Sequence, residues 1–365
     1  MSEDHDRWMR LAISLGARGL GRVWPNPAVG CVLVKQGRVI GRGWTAPGGR
    51  PHAETIALAE AGQDARGATA YVSLEPCAHH GHTPPCAEAL VSAGIARVVT
   101  ALEDPDPRVA GKGHDILTAA GVEVVTGICA AEARSVQAGF LSRIERGRPF
   151  LTLKLAMSLD GRIATASGES QWITGAEARR AVHAMRARND AVLVGAGTAR
   201  ADDPTLTVRG LGVASQPVRL VASRWLDMPV DSNLGRTVRE VPVWLLHGPG
   251  ADGAAWAETG AKLVEVPGEG RDIDPVAMMS ALGAEGLTRV LCEGGGAFAA
   301  SLLNVGLVDR LVVFTAGIAL GAEGRPGIGA LGLDALAEAE RFRLTSVEHV
   351  GQDVMQVWDK PVPAA

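Results

Sequence analysis

The most informative part of this 365-residue chain is the stretch Glu75-Pro76-Cys77-Ala78-His79-His80-Gly81-His82-Thr83-Pro84-Pro85-Cys86, together with His52-Ala53-Glu54 upstream of it. His52, Cys77 and Cys86 offer one imidazole and two thiolates. Three protein ligands leave one position of a tetrahedral zinc ion open, which is the ligand count of a catalytic site. Glu54 lies two residues from His52 and is placed to move protons at that open position.

The same combination of residues is typical of zinc deaminases that act on nucleobases, in which the glutamate is not a ligand. Zinc lowers the pKa of its water towards 7 and so yields hydroxide at neutral pH. Glu54 would take that proton and pass it to the ring nitrogen and then to the departing amine. A structural zinc site is an alternative, because His79, His80 or His82 could supply a fourth ligand, but it would leave Glu54 without a role. A chance grouping of common residues is the other alternative.

The first 146 residues alternate between strand and helix patterns, which predicts an α/β domain with helices on both faces of a sheet. Apolar stretches at 29–34 and 38–43 predict a hairpin. A helix is expected over 52–61 and another over 85–93, so each ligand segment begins a helix, whose positive end favours thiolates. Further strands are expected at 70–74, 97–101 and 122–126, and further helices at 113–120 and 140–144.

The polar segment Glu145-Arg146-Gly147-Arg148-Pro149 marks the expected junction, with a first domain at 1–146 and a second at 147–365. The second half shows another α/β pattern. Strands are expected at 150–156, 191–194, 218–222, 241–246, 289–292 and 310–314, and helices at 175–188, 275–282 and 297–305. The segment 248–260, rich in small residues, is expected to be a surface loop.

Two glycine-rich turns in the second half suggest nucleotide binding. Cys292-Glu293-Gly294-Gly295-Gly296 follows a strand and opens a helix, so that a pyrophosphate could lie on the helix N-terminus. Gly195-x-Gly197 is a weaker form of the same pattern. The alternative for the triple glycine is a tight strand-to-helix turn without a ligand.

Composition and charge exclude several classes of protein. A net charge of −4 and a hydrophobic fraction of 47% are ordinary for a soluble enzyme and argue against a general nucleic-acid binder, which needs a basic surface. The first seven residues carry acidic groups and do not predict a signal peptide. No stretch approaches the roughly 18 apolar residues of a membrane span. Five cysteines do not suggest a disulfide framework, so a cytoplasmic location is expected, with Cys31, Cys129 and Cys292 as buried small residues.

Asn26-Pro27-Ala28-Val29-Gly30, the His52-Ala53-Glu54 segment and the long Pro76-Cys77…Pro85-Cys86 loop resemble the deaminase half of the bifunctional deaminase–reductases of riboflavin biosynthesis. The general cytidine deaminase signature has two residues between its cysteines, whereas this loop has eight, as in the riboflavin branch. The resemblance implies a cytidine-deaminase-like fold that deaminates 2,5-diamino-6-ribosylamino-4(3H)-pyrimidinone 5′-phosphate. It implies substrate contacts at Asn26, His79 and Asp104. This chain departs from the family pattern at Thr45, where many members have His, and at Asp106, where Asp-Pro-Asn-Pro is usual.

Segments 154–162, 170–174, 190–198 and 201–209 resemble the reductase half of the same family, which has a dihydrofolate-reductase-like fold. The resemblance therefore covers nearly the whole chain. It implies hydride transfer from NADPH to the ribosyl group of 5-amino-6-(5-phosphoribosylamino)uracil, which becomes a ribityl group. The implied cofactor contacts are Ala156, Trp172, Thr198, Asp202, Ser223, Gly295, Gly296, Ala297, Phe298, Ala299, Ala300 and Ser301. The implied substrate contacts are Ser170, Arg186, Leu206, Arg209 and Glu293.

The two arginines suit a phosphate monoester, which guanidinium binds in a fork; by themselves they could equally be surface charges. We therefore expect a two-domain cytoplasmic enzyme with one zinc ion and NADPH, acting on a small pyrimidine ribotide, without nucleic-acid or membrane partners. A homo-oligomer, dimer or higher, is expected. Two other functions stay open. A zinc-stabilised nucleotide-binding protein with inert sites is disfavoured by Glu54, and a nucleic-acid base deaminase is disfavoured by the lack of a basic, aromatic-rich surface.

Overall fold

The structure is a computed structural model of the chain and describes residues 2–79, 84–270 and 272–361. It divides into two compact units, residues 1–147 and 148–365. None of the helices in the described ranges is both long enough and apolar enough to cross a membrane.

The first unit is built on a five-stranded mixed sheet with the strand order β2-β1-β3-β4-β5. Its strands are β1 Gly30–Lys35, β2 Arg38–Trp44, β3 Thr69–Val72, β4 Arg97–Thr100 and β5 Glu123–Val125. Its helices are α1 Ser2–Gly16, α2 Ala53–Ala61, α3 Cys86–Ser92, α4 Lys112–Ala119 and α5 Ala130–Arg146. Strand β1 pairs antiparallel with β2 and β3, whereas β3, β4 and β5 run parallel.

Helices α1 and α2 lie on opposite faces of this sheet. A Cβ atom on Gly30 would lie 1.9 Å from the Ala12 carbonyl oxygen of α1. Cys31 pairs with Gly43 on β2, and a Cβ atom on Gly43 would lie 2.3 Å from the Ala53 carbonyl oxygen of α2. Because neighbouring residues of a strand face opposite sides, Gly30 and Gly43 admit one helix each. The bare backbone of β2 thus holds the first turn of α2, where His52 and Glu54 lie, close to the sheet.

The second unit contains a nine-stranded sheet with the order β11-β10-β9-β8-β14-β6-β15-β18-β17. The strands from β11 to β15 in this order are parallel, and β18 and β17 complete the sheet in antiparallel fashion. The strands are β6 Phe150–Ser158, β7 Arg162–Ala164, β8 Ala191–Gly195, β9 Val218–Ala222, β10 Val243–His247, β11 Lys262–Glu265, β12 Gly268–Glu269, β13 Asp272–Ile273, β14 Arg289–Cys292, β15 Arg310–Ala316, β16 Arg325–Pro326, β17 Arg343–Val350 and β18 Asp353–Asp359. The helices are α6 Ala176–Arg186, α7 Ala196–Asp202, α8 Asn233–Arg236, α9 Ala254–Thr259, α10 Pro275–Ala284 and α11 Gly296–Asn304.

The predicted strands and helices are present, and most of their ends are displaced by a few residues. The helix expected over 140–144 is part of α5, which begins ten residues earlier. The prediction of a surface loop at 248–260 is wrong, because this segment contains α9 and its Trp256 is buried. Helix α1 and the β17–β18 hairpin were not predicted. Most side chains of β17 are exposed, so no apolar alternation marks it in the sequence.

The structure also corrects one cysteine. Cys31 and Cys292 are fully buried, as expected. Cys129 is only partly buried and precedes α5 with a φ of 55°, so its prediction as a core residue is wrong.

Candidate active sites

Four segments of the first unit meet at one edge of its sheet. Strands β3 and β4 are parallel, with Val72 paired to Thr100, so the segments that follow them, toward Cys77 and Asp104, leave the sheet at the same edge. Strand β1 is antiparallel to β3, so its beginning, preceded by Asn26, lies at this edge too. Strand β2 ends there and leads through Thr45 to His52. The sheet topology thus assembles a site from segments far apart in sequence.

His52, Cys77 and Cys86 form a cluster whose ligand atoms all lie within 4.8 Å of one another. The Nδ1 atom of His52 is 3.3 Å from Cys86 Sγ and 3.6 Å from Cys77 Sγ. A nitrogen and a sulfur bound to the same tetrahedral zinc ion are separated by about 3.6 Å, given the usual Zn–N and Zn–S bond lengths. The three side chains therefore fit a zinc ion in both ligand type and spacing.

The cluster already favours thiolate at one of its cysteines. Hydrogen bonds from Cys86 and His52 lower the pKa of Cys77 to about 4, against the opposing effect of burial. The backbone N–H of Cys86, at the start of α3, also donates to Cys77 Sγ at 3.3 Å. The pKa of Cys86 is raised through its bond to Cys77 and by burial. A cation at the cluster would lower the pKa of both thiols.

Glu54 lies in the first turn of α2, and only 3% of its surface is exposed. Burial raises the pKa of Glu54 to about 7, and the charge of Cys77 adds to this rise while His52 opposes it. A carboxyl group with a pKa near neutrality can both accept and release a proton at physiological pH. This is the property that the predicted proton transfer requires.

A cavity of about 350 Å³ opens beside the cluster. All the predicted deaminase residues reach it or the cluster: Asn26, His52, Glu54, Cys77, His79, Asp104 and, in the cluster alone, Cys86. Within the described part of the chain, the buried Nδ1 atom of His79 has no hydrogen-bond partner, so a ligand could supply one. His80 and His82, the other candidates for a fourth ligand, lie outside the described residues.

Thr45 is buried beside this cavity. Its hydroxyl donates to the Pro27 carbonyl and accepts from the Val29 N–H, both at 3.0 Å. These two bonds hold the segment that carries Asn26. Thr45 therefore lines the cavity and also helps to position Asn26 through these hydrogen bonds.

Glu75 holds the opposite wall. Its side chain is fully buried and accepts four backbone N–H groups: Gly113 at 2.8 Å, Gly111 at 3.0 Å, Asp104 at 3.2 Å and His114 at 3.3 Å. One carboxylate thus ties together both ends of the segment 104–114, which places Asp104 in the cavity. Burial raises the pKa of Asp104 to about 6, and the neighbouring acidic groups add to the rise.

Several cavity residues were not predicted from the sequence. Arg50, Arg108 and Arg143 all line the deaminase cavity, as does Phe140. Arg143 belongs to the last turn of α5, far from the motifs in sequence. Only its position in the folded unit brings it to the site.

The second unit has a cavity of about 440 Å³. It collects these predicted residues: Ala156, Ser170, Trp172, Arg186, Thr198, Asp202, Leu206, Arg209 and Glu293. Lys154, which the sequence analysis did not single out, lines it as well. Lys154 precedes Ala156 by two positions on β6, so the two side chains share a face of the sheet. This two-residue spacing could have indicated from the sequence that Lys154 lies in the cavity with Ala156.

Arg186 and Glu293 form a nearly buried ion pair inside this cavity. Arg186 donates through Nε to Oε1 at 2.6 Å and through a terminal nitrogen to Oε2 at 3.0 Å. Burial alone would raise the pKa of Glu293, but Arg186 and Lys154 outweigh it and lower the pKa. Burial lowers the pKa of Lys154. Two of the cations that line the cavity, Arg186 and Lys154, therefore act on the Glu293 carboxylate.

The segment 203–209 closes one side of the reductase cavity and is tied to α6. Arg186 donates to the Thr207 carbonyl at 2.9 Å, and His183 Nδ1 accepts the Arg209 N–H at 3.2 Å. Leu206 is buried and has a φ of 53°, a conformation that a branched side chain adopts only when its surroundings hold it there. These contacts fix the position of Arg209 at the cavity wall.

Two of the predicted cofactor-binding segments, those around Thr198 and Gly295, are in contact with each other. The Gly295 N–H, which precedes α11, donates to the Thr198 hydroxyl of α7 at 3.2 Å, so the two glycine-rich turns are adjacent. None of the predicted cofactor residues 295–301 lines the cavity, and Ala299 and Ala300 are also buried in the unit. Ser223 directly follows β9, is buried and donates to Asp227; it does not line the cavity either. Trp172 is 67% exposed and packs against Arg179, 4.6 Å from its ring centre.

Two family profiles match the chain. The profile of the RibD C-terminal domain matches residues 149–356. The profile of the cytidine and deoxycytidylate deaminase zinc-binding region matches residues 2–102. The second of these ranges contains His52, Glu54, Cys77 and Cys86.

Individual proteins match along nearly the whole length. The riboflavin biosynthesis protein RibD of Escherichia coli is 43% identical over 356 residues, which cover 95% of this chain and 97% of that protein. The Acinetobacter baumannii RibD structure, form 1, superimposes with a TM-score of 0.90 at 39% identity and covers 99% of this chain and all of its own. A Thermotoga maritima structure described as a diaminohydroxyphosphoribosylaminopyrimidine deaminase/5-amino-6-(5-phosphoribosylamino)uracil reductase has a TM-score of 0.88 at 32% identity, with 99% of both chains covered.

Proposed function

Because this chain belongs to the RibD family of riboflavin biosynthesis and contains both its deaminase and its reductase domain, we propose that it acts on the two pyrimidine ribotides of that pathway in succession. The first domain, residues 1–146, deaminates 2,5-diamino-6-ribosylamino-4(3H)-pyrimidinone 5′-phosphate. The second, residues 147–365, reduces the ribosyl group of the resulting 5-amino-6-(5-phosphoribosylamino)uracil. The observation that carries the proposal is the His52–Cys77–Cys86 cluster, which shares one cavity with Glu54.

In the deaminase domain, His52, Cys77 and Cys86 hold one zinc ion. When bound, zinc supplies a Lewis acid that activates water. Glu54 accepts the proton that the attacking water loses and delivers it to the ring nitrogen. It then carries the proton of the newly formed C–OH group to the leaving amine, so that ammonia departs and the C=O group forms. The burial of Glu54 beside the cluster supports this role, because it keeps bulk water away from the proton that is transferred. Asn26, His79 and Asp104 orient the ring from the other walls of the cavity.

In the reductase domain, NADPH supplies a hydride. Its proposed contacts are Ala156, Trp172, Thr198, Asp202, Ser223 and the turn and helix 295–301, and the contact of Thr198 with Gly295 supports this grouping. Ala299 and Ala300 would contribute through the backbone, since their side chains are buried.

The substrate of the reductase contacts Ser170, Leu206, Arg209 and the Arg186–Glu293 pair. Arg186 already directs its nitrogens at Glu293 and at the Thr207 carbonyl. We therefore assign it the task of holding Glu293 and the 203–209 segment in place. Arg209, which is exposed at the cavity wall, is the better ligand for the phosphate.

A cytoplasmic location and a homo-oligomer complete the proposal. The location is supported by the need of Cys77 and Cys86 for a reducing environment, since both must remain thiols or thiolates to bind metal.

The test separates the two activities. The Glu54→Gln variant should retain zinc but release no ammonia from the diaminopyrimidine ribotide, because the amide cannot carry the proton. It should still oxidise NADPH when given the deaminated ribotide. Chelation of zinc from the wild-type protein should produce the same split. Loss of zinc from Glu54→Gln would indicate that Glu54 is a ligand, and ammonia release at the wild-type rate would contradict its role in proton transfer.

A further inference from the structure

The mouth of the deaminase cavity carries an unusual amount of charge. Its floor is buried, with Glu54 only 3% exposed, whereas the Arg108 side chain, which also lines the cavity, is 71% exposed. Arg50 and Arg143 line the same space. A ribotide whose ring lies at the metal cluster must extend its phosphate toward the mouth, because a dianion is too costly to bury without cations. Three arginines line the cavity that would hold it.

Asp106 places a negative charge in a cavity that is proposed to bind a phosphate. It lines the same cavity, and its side chain is only 9% exposed. An ionised carboxylate here would repel the phosphate of a ribotide at short range, across a partly desolvated space where charges are weakly screened.

The structure compensates this charge locally. Arg108 Nε lies 2.9 Å from Oδ1 and 3.0 Å from Oδ2 of Asp106, and a terminal nitrogen contacts Oδ2 as well. The backbone N–H of Arg108 donates to Oδ1 at 2.9 Å. The arginine is thus bound to Asp106 by side chain and main chain, two residues away, and the pair is formed without help from any distant segment.

The loop that carries the pair is itself held. The Asp106 N–H donates to Asp104 Oδ1 at 2.9 Å, and Glu75 binds the Asp104 and Gly111 N–H groups on either side. The pair therefore has a set position at the mouth and does not depend on the motion of a free loop.

We infer that Asp106 and Arg108 form a charge-compensated pair that lets this deaminase cavity accept a phosphorylated substrate, with Arg108 as the residue that determines preference for ribotide over riboside. The inference rests on the proposed function of the first domain. Arg108 neutralises Asp106, so that this carboxylate does not repel the phosphate. Removing Arg108 alone exposes the phosphate to an uncompensated carboxylate, whereas removing both charges restores neutrality.

The experiment compares ammonia release from the diaminopyrimidine ribotide and from the same compound after removal of its phosphate. In Arg108→Ala, the ratio of kcat/KM for ribotide over riboside should fall about tenfold or more, through KM, while kcat/KM for the uncharged riboside changes little. The double variant Asp106→Asn/Arg108→Ala should return the ratio to within about threefold of wild type. Arg42→Ala is the matched control, because Arg42 pairs with Glu60 on the surface away from the cavity.

Each other outcome counts against the inference. An unchanged ratio in Arg108→Ala overturns it, and so does an equal loss for both compounds, which would mean that Arg108 only maintains the loop. A double variant as poor as Arg108→Ala would show that the arginine binds phosphate directly instead of neutralising Asp106. If zinc-loaded wild-type protein releases no ammonia from either compound, the proposed function fails and the inference fails with it; ammonia release with unchanged selectivity in the variant overturns the inference alone.

Discussion

Replacing Glu75 with alanine tests whether one buried carboxylate organises the wall of the deaminase cavity. Glu75 accepts four backbone N–H groups from the segment 104–114, and its side chain has no exposure to water. Gly113 packs tightly against this segment, since a Cβ atom on it would lie 2.0 Å from the Pro76 carbonyl oxygen. In Glu75→Ala these N–H groups lose their acceptor and remain buried or must draw in water.

The expected loss of stability depends on how many short hydrogen bonds to Glu75 are removed. The contacts from Gly113 and Gly111, at 2.8 and 3.0 Å, are the shortest, and each orphaned buried donor costs about 1–3 kcal/mol. Allowing for water entering the space that alanine leaves, we expect a loss of about 4 kcal/mol in the free energy of unfolding of the first unit. For a unit of this size that corresponds to a fall in Tm of about 8–16 °C.

Calorimetry can measure this because the chain has two units, and the transition of the second serves as an internal reference. The zinc concentration must be held constant, since bound metal adds to stability. Glu103→Ala is the matched control: Glu103 is exposed on the same loop, and surface changes of this kind cost at most about 0.5 kcal/mol. A Tm of the first transition in Glu75→Ala within about 3 °C of that of Glu103→Ala would refute the reasoning.

Two further predictions concern buried charge. Burial raises the pKa of Asp104 to about 6, so between about pH 4 and pH 6 this carboxyl group binds more protons in the folded unit than in the unfolded chain. The contribution of Asp104 to the stability of the first unit therefore falls as the pH rises through that window. Asp104→Asn removes this contribution, so the stability of the variant relative to wild type, measured by the Tm of the first transition, should rise across the window by up to about 3 kcal/mol; equal pH profiles would contradict this. Arg186→Ala should leave Glu293 buried without its main partner, which raises the pKa of Glu293 and lowers the stability of the second unit by about 3–5 kcal/mol. The double variant Arg186→Ala/Glu293→Gln should recover most of this loss of stability. An equal loss in both variants would show that the ion pair is not the cause.

The chemistry of the deaminase site could be predicted from the sequence because it depends on residue types at short spacing. His52 and Glu54 lie within three residues of each other, and Cys77 and Cys86 flank one loop. The ligand set, the proton carrier and the family followed from these few positions. The structure brings His52, Glu54 and Cys77 to one cavity and places Cys86 in the metal cluster beside it.

The parts that escaped prediction depend on long-range packing. Arg143 reaches the cavity only because α5 is positioned over the same edge of the sheet, and no local pattern marks this. The ion pair of Arg186 with Glu293 could not be predicted either, because an arginine on a helix has the same sequence pattern whether it faces water or a partner 107 positions away. Ala299 and Ala300 belong to a recognisable turn-helix motif, but the packing of α11 buries their side chains.

What this sequence determined alone is therefore the reaction type: a zinc ligand set with an adjacent carboxylate, and an arginine- and glycine-rich second half of matching family. Residue identity and near-neighbour spacing are sufficient for that, since metal and proton chemistry act over a few ångströms. Only the tertiary structure decided how the charges around the chemistry are balanced. The parallel pairing of β3 with β4 sends the Cys77 and Asp104 segments to one edge, and there Glu75 fixes the loop on which Arg108 neutralises Asp106. The electrostatic potential in a cavity is the sum of the contributions of all charged groups around it. It can therefore be known only when the tertiary structure shows which groups those are.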